Sequence, residues 1–442
     1  MDIIKRDEGS LIFLDAPGGT GKTFILNLIL AEIRKKGEIA LAVASSGVAA
    51  TLLHGGRTAY SALKLPLNLN LTEEPYCNII DNPATCKLLK NTKVIIWDEC
   101  TMAHKKGPEA LHKTLQHLNN NKYIMGKVVV ILAGDFRQTL PVITHGTPAD
   151  QIDACLKKSY LWKHTKIIML KKNMRVFLTG DPTLSTFSEQ LLLLGNGKWK
   201  EDSDGTVEFP SNFCNIVKSI ESLKTHVFPD MQKNYINHEW ICERAILAPT
   251  NNKVDDINKD ILNSLPGESK IYKSIDTVCN PEDSIHYPME FLNSLTIPGL
   301  PPHILTLKIG APIMILRNIN PPKLCNGTRL SVKSLKNNVI EATILTGCGK
   351  GEVVYIPRIP IKPSDVPFGF ERLQFPVKLA FTFTINKSQG QSLKRTGLLL
   401  DLMCFSHGQL YVACSRGGDP KNLYIYCPNG KTKNIVYPQA LK

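Results

Sequence analysis

Residues Asp15-Ala16-Pro17-Gly18-Gly19-Thr20-Gly21-Lys22-Thr23 stand between an apolar run, Leu11–Leu14, and a helical pattern, Phe24–Lys35. A strand that runs through a glycine-rich turn into a helix leaves few architectures open. Glycines let backbone N–H groups converge on phosphate oxygens, and the helix N-terminus adds the positive end of its dipole. In such a phosphate-binding loop Lys22 reaches the β- and γ-phosphates and the Thr23 hydroxyl ligates Mg²⁺. Gly18, Gly19, Thr20 and Gly21 form the cradle. Ala16 holds the place of the first glycine of the eight-residue pattern.

The strand and helix on either side extend to the rest of the first 170 residues. Short apolar runs at Leu11–Leu14, Ile39–Ala44, Val94–Trp97, Lys127–Leu132 and Lys166–Leu170 alternate with helical patterns. That rhythm predicts a parallel sheet covered by helices on both faces. Two of these strands end in chemistry. Val94-Ile95-Ile96-Trp97 runs into Asp98-Glu99, where one carboxylate can hold Mg²⁺ and its neighbour can orient or deprotonate water. The third string, Val128–Leu132, runs into Ala133-Gly134-Asp135-Phe136-Arg137-Gln138, where the Gln138 amide can sense the γ-phosphate or position water. Taken alone, Asp98-Glu99 reads better as an acidic pair in a loop and Gln138 as part of an ordinary polar loop. Three such strand ends in one αβ domain point together to a nucleoside triphosphatase.

Further along, Glu189–Leu194 and Thr250–Leu265 read as helices, the latter with Val254, Ile257, Ile261 and Leu262 at helical spacing, and Ala245–Ala248 as a buried strand. Residues 265–303, rich in Pro, Asn and Ser, read as a long connection. From Thr306 to about Pro363 short runs such as Ile313–Leu316 and Val339–Leu345 are separated by Gly, Pro and Asn, which predicts a small β-barrel or sandwich. After Phe375 the αβ texture returns. The chain of 442 residues is thus read as two αβ domains, the second interrupted by a β module, in keeping with about 150 residues per domain.

Composition narrows the partners. Lys and Arg number 53 against 39 Asp and Glu, a net charge of +14, which favours polyanions. From His303 to Arg395 there are 14 Lys/Arg and 4 Asp/Glu, so +10 falls in that stretch alone. A solvated basic face and a phosphate-binding track account for this block equally well. No apolar run approaches the ~20 residues needed to span a bilayer, and the first residues lack a secretory layout, so no membrane association is expected. None of the twelve cysteines forms a Cys-x-x-Cys pair, which predicts neither a thiolate metal site nor a disulfide framework.

The strings themselves resemble the superfamily 1B DNA helicases of the Pif (petite integration frequency) type, with the variants carried by Helitron transposons closest. Ala133–Pro141 is similar to their motif III. Val43–Ala50 with Gly55–Ser61 resembles motif Ia, and Asn173-Met174-Arg175 motif IV. Leu307–Asn318 and Cys325–Leu330 match the accessory β module. Phe375–Val377 through Thr384–Ser392 resembles motif V, and Gly408–Arg416 motif VI. Nearly the whole chain is covered, in order.

The resemblance implies two RecA-like P-loop NTPase domains with a small SH3-like β-barrel module inserted in the second. The first domain would span 1–172, with a strand-separating wedge at about 55–85. The second would span 173–302 and 373–442, and the module 303–372. It implies ATP and Mg²⁺ bound between the domains, and ATP-driven 5′-to-3′ movement on single-stranded and forked DNA. By position, Lys22, Glu99, Gln138, Arg175 and Arg416 would be catalytic, the two arginines as fingers from the second domain. Thr23 and Asp98 would serve the metal, and Gly390 and Gln391 would link the nucleotide to DNA. Ser45, Ser46, Thr58, Tyr60, Thr384, Asn386 and Lys387 would line the DNA channel, contacting phosphates without reading sequence. The family also implies a nuclear setting and roles in repair, recombination, telomere maintenance or transposition. Its adenine-recognising Gln motif is not found in the residues before Leu11. That difference gives a second reading, a truncated, transposon-derived remnant that binds DNA with little or no ATPase. A P-loop kinase or switch GTPase leaves the motif V and VI strings without a role.

Overall fold

The computed structural model describes residues 9–442 except Leu67, 70–71, 80–81, 144–145, Asn252, Pro281, 283–284 and 364–365, and only the backbone of Arg175. Strands β1 (Ser10–Asp15), β2 (Ile39–Ala44), β3 (Arg57–Thr58), β4 (Thr92–Asp98), β5 (Val129–Gly134) and β6 (Thr165–Met169) form one parallel sheet in the order β3-β2-β4-β5-β1-β6. Alternate residues of β1 explain its unbroken apolar run. Leu11 and Phe13 enter one buried cluster with Trp97 and Leu132, while Ile12 and Leu14 enter another with Leu26 and Leu30. A strand buried on both faces shows no polar alternation.

Helix Lys22–Lys35 covers the second face. Its buried residues, Leu26, Leu30 and Ile33, recur at intervals of four and three, and Arg34 and Lys35 oppose the negative end of its dipole. The next parallel sheet is built from Thr382–Thr384, Arg244–Ala248, Arg395–Leu399, Leu423–Tyr426 and Asn215–Ile216, in that order across the sheet. Helices Pro182–Gly195, Val254–Ser264 and Gln409–Ser415 pack around it.

Five antiparallel strands interrupt this second unit, in the order Val353–Pro357, Val339–Ile344, Arg329–Leu335, Pro312–Ile315 and Val377–Leu379. The segment read as a connection, 265–303, is more structured than expected. Lys270–Lys273 pairs with Ile304–Leu307, Ile275–Val278 pairs with Phe370–Gln374, and Met289–Ser294 is a helix. Arg329 fastens the antiparallel strands to the second parallel sheet. Its guanidinium, buried with no carboxylate partner among the described residues, donates to the carbonyls of Cys242, Ile241, Arg244 and Ala380. Of the segment expected as a wedge, β3 and helix Ala59–Leu63 belong to the first sheet and its core, and residues 67, 70–71 and 80–81 lie outside the described ones. No helix among the described residues is long and apolar enough to cross a membrane.

Candidate functional site

The carboxyl ends of β1, β4 and β5 meet at one edge of the first sheet, where ligands of open αβ sheets bind. Beyond β1 the chain turns through Gly19 (φ 85°) and Gly21 (φ 83°), a left-handed conformation costly for any residue with a Cβ. The Thr20 side chain closes the turn by donating to the Pro17 carbonyl at 2.8 Å. Gly21 then caps helix Lys22–Lys35 and delivers Lys22 and Thr23 to its first turn.

Lys22 Nζ lies 2.7 Å from Asp98 Oδ1 and 2.6 Å from Glu99 Oε1. Burial works against the ammonium, but Asp98 and Glu99 outweigh it, and the pKa of Lys22 is raised. Burial also raises the pKa of Asp98, against the pull of Lys22. Glu99 adopts a left-handed backbone (φ 49°, ψ 36°), and its N–H donates to Asp98 Oδ1 at 2.8 Å. Its second oxygen, Oε2, is buried with no hydrogen-bond partner among the described residues. One cation is thus shared by two carboxylates, with one oxygen still unsatisfied.

The second parallel sheet reaches this edge from across a cavity of about 390 Å³, lined among others by Gly18, Thr20, Asn173, Phe187, Tyr411 and Ser415. That is within the range of small-molecule pockets. Asn173 and Met174 press on the loop, since Met174 N–H donates to the Gly19 carbonyl and a Cβ on Gly19 would stand 2.8 Å from Asn173 Oδ1. Arg175 follows them, its side chain outside the described residues. Arg416 is buried on the far side, donating to the carbonyls of Val412 and Gln391 and to Ser415 Oγ. Gln138 is turned toward the second unit, its Oε1 accepting from Gln389 Nε2 at 3.3 Å.

The residues expected to meet DNA fall on two adjoining surfaces. Ser45 Oγ accepts from the buried Trp97 indole at 3.0 Å, which leaves its hydroxyl proton for an outside acceptor. Ser46 caps helix Gly47–Leu52, Thr58 precedes helix Ala59–Leu63, and Tyr60 is exposed. On the second unit Thr384 ends a strand, Asn386 keeps a buried Oδ1 without a partner, and burial together with Lys378 pushes the Lys387 pKa down to about 8. Gly390 joins the two surfaces. A Cβ there would lie 3.4 Å from Ala49 N, and its neighbour Gln391 accepts from Arg416.

Several residues at this junction were not singled out as site residues in the sequence. Asp135, fully buried, accepts from Arg137 and from the Tyr411 hydroxyl at 2.8 Å. Thr139 donates to Gln389 at 3.0 Å. Asp135, Arg137, Thr139, Gln389 and Tyr411 all lie inside the motif strings, but nothing in their spacing says that Asp135 pairs with Tyr411 and Thr139 with Gln389, 276 and 250 positions apart.

The PIF1-like helicase family matches residues 1–205, and its family-specific module, the DNA helicase Pif1 2B domain, matches residues 290–335. The chain is 26% identical to an ATP-dependent DNA helicase Pif1 of Psychrobacter sp., over 94% of this chain and 65% of that protein. To the ATP-dependent DNA helicase PIF1 of Danio rerio it is 25% identical, over 94% of this chain and 58% of that protein. It therefore spans about three-fifths of the length of these relatives. The crystal structure of the Pif1 helicase from Candida albicans, at 25% identity, superposes with a TM-score of 0.71 over 100% of this chain and 96% of that one. The fold is two RecA-like domains facing one cleft, and with both family matches falling in chain order on it, the chain belongs to the PIF1-like helicases.

Proposed function

We propose that this protein hydrolyses ATP to drive 5′-to-3′ movement along single-stranded DNA and so unwinds forked duplex. One observation carries the reading: Lys22, at the start of the loop helix, is held by both Asp98 and Glu99 while Glu99 Oε2 stays buried and unpaired. A γ-phosphate drawing Lys22 away frees both carboxylates at once. Asp98 then serves the metal with Thr23, and Glu99 accepts a proton from the attacking water, oriented by Gln138. A hydroxyl and a carboxylate suit a hard divalent cation, and Mg²⁺ held there supplies charge neutralisation on the phosphates. Arg175 and Arg416 stabilise the transferring group from the second domain when the cleft closes. The surfaces at Ser45, Ser46, Thr58 and Tyr60 and at Thr384, Asn386 and Lys387 carry the strand, and Gly390 and Gln391 connect them to the nucleotide.

The proposed division is a first domain at 1–172 with its wedge near 55–85, a second at 173–302 and 373–442, and an SH3-like module at 303–372. The strands at 270–278 and 370–379 are drawn to that module by their pairing. A nuclear location belongs to the same proposal, on the strength of the DNA-directed names of eukaryotic relatives.

The test is the steady-state ATPase rate with and without single-stranded DNA, with Lys22→Ala as control. DNA should stimulate the rate, and the substitution should lower it at least about a hundredfold, near 2.7 kcal/mol of barrier. Forks with a 5′ or a 3′ tail then give the polarity. A wild-type rate equal to that of the substituted protein, with or without DNA, would overturn the reading.

A further inference from the structure

The loop after β5 leaves the first domain and is gripped by the second. Tyr411 binds Asp135, Gln389 binds Gln138, and Gly408 passes so close that a Cβ there would stand 2.2 Å from the Arg137 carbonyl. His407, just outside the motif strings, adds the one contact of a different kind. Its imidazole is 1% exposed. Nε2 lies 2.8 Å from the carbonyl oxygen of Phe136, and Nδ1 accepts the N–H of Tyr437 at 2.8 Å. A carbonyl can only accept and an N–H can only donate, so both bonds require the neutral ring with its proton on Nε2.

The second partner lies on a segment that crosses from one domain to the other. Ile435 accepts from Gly408 N–H, and the Tyr437 ring stacks on His407 at 5.2 Å. Beyond it Ala440 is buried in the core of the first domain, with Tyr437 and Leu441 packed against that core. Lys157 fixes the far end, donating to the Leu441 carbonyl at 2.7 Å while standing 4.5 Å above the Phe136 ring.

We propose that His407 and residues 435–441 form a clasp that holds the loop 134–139 against helix Gln409–Ser415, and so sets Gln138 and Arg416 in register when the cleft closes. This rests on the hydrolysis reading. His407 is a positioning residue, acting through the Phe136 carbonyl and touching no nucleotide. Deleting it leaves the P-loop intact and loosens the two sides of the cleft relative to each other.

The clasp has a pH signature. Asp135 from the loop, Tyr437 from the crossing segment and Lys157 above Phe136 are the titratable groups beside the imidazole. Burial, opposed by the Phe136 carbonyl and Asp135, keeps the pKa of His407 below the ordinary value near 6.5. The neutral ring, and with it the clasp, is therefore complete at pH 6.5 and above, and is lost only as the pH falls through the lower value that His407 has in the folded protein.

His407→Gln tests it on the full chain, since the amide can still donate to Phe136 but offers Tyr437 no acceptor. Hydrogen exchange of the Tyr437 amide should quicken at least about tenfold. The kcat of DNA-stimulated hydrolysis should fall about tenfold with KM for ATP unchanged. In a pH series run downward from 7.5, the wild type should lose kcat below pH 6.5 where the substituted protein does not. Faster exchange with unaltered kcat would overturn the positioning role, and unaltered exchange would overturn the clasp itself. If His407→Gln does not fold, Lys157→Met releases the other end and should lower kcat about threefold, with an unchanged kcat counting against the proposal. An inactive wild type would remove the hydrolysis reading and the positioning role with it, while the exchange result would still decide the clasp.

Discussion

Glu99 concentrates the chemistry of the site in one residue. A left-handed backbone costs a non-glycine residue roughly 1–2 kcal/mol, so its surroundings must impose it. The bond from its N–H to Asp98 and the grip of Lys22 on Oε1 do so, and among the described residues no group answers Oε2. Glu99→Gln keeps the shape and the hydrogen-bonding reach but removes the charge and the basicity. Lys22 retains Asp98, so nucleotide affinity measured by equilibrium titration should stay within about threefold. Single-turnover hydrolysis should slow about 10²–10³-fold, the usual scale for losing a general base. An unchanged single-turnover rate would remove Glu99 from that role. The place of this carboxylate was legible, because an acidic pair after a buried strand is a local pattern. Its twisted backbone and its sharing of Lys22 were not, because both depend on a side chain 77 positions away.

At the scale of elements, the same distinction separates strands that could be read from strands that could not. The strands of the first sheet are buried on both faces, and their apolar runs stand out in the sequence. Ile275–Val278 and Phe370–Gln374 hide because polar residues occupy inward positions, and Lys270–Lys273 because Tyr272 is its one buried residue. Asp276 and Arg372 are 3% and 1% exposed, and they face each other across the pairing of two strands. Arg372 Nη2 lies 2.7 Å from Asp276 Oδ2 and Nε donates to the same carboxylate at 2.9 Å, while Nη1 and Nη2 also donate to the carbonyls of Leu292, Leu295 and Pro301. Ser274 donates to Asp276 at 2.7 Å. This pair ties helix Met289–Ser294 and the chain after it to the paired strands Ile275–Val278 and Phe370–Gln374. Asp276→Ala leaves a buried guanidinium unpaired and should cost about 3–5 kcal/mol in urea unfolding. Replacing both partners by Leu and Met should cost far less, since no charge then remains buried. A single substitution costing under about 1 kcal/mol would mean that the carbonyls alone neutralise Arg372.

Across the whole molecule, part of the basic block, Lys378 and Lys387, stands near the place where the two domains meet. The block from His303 to Arg395 carries +10 of the net +14, and it includes the turn where Gly390 meets Ala49 of the first domain. Lys378 and Lys387 stand within that block, and burial lowers the pKa of both; Asp255 relieves Lys378 in part, while Lys378 adds to the lowering at Lys387. Two ammonium groups held close in a partly buried place gain from a phosphate what they lack from the protein. Lys387 is charged below about pH 8 and neutral above it. A strand held through that ammonium is therefore bound fully below pH 8 and loses one phosphate partner as the pH rises past it. Each such contact on single-stranded DNA contributes about 0.7 to the slope of log affinity against log salt. Anisotropy titrations of a labelled oligothymidylate should give a slope smaller by about 0.7 at pH 9 than at pH 7. Lys387→Arg, whose guanidinium keeps its charge throughout, should show the same slope at both. Equal slopes at both values in the wild type would take Lys387 off the path of the strand, and an equal decrease in both proteins would assign the titration to another group.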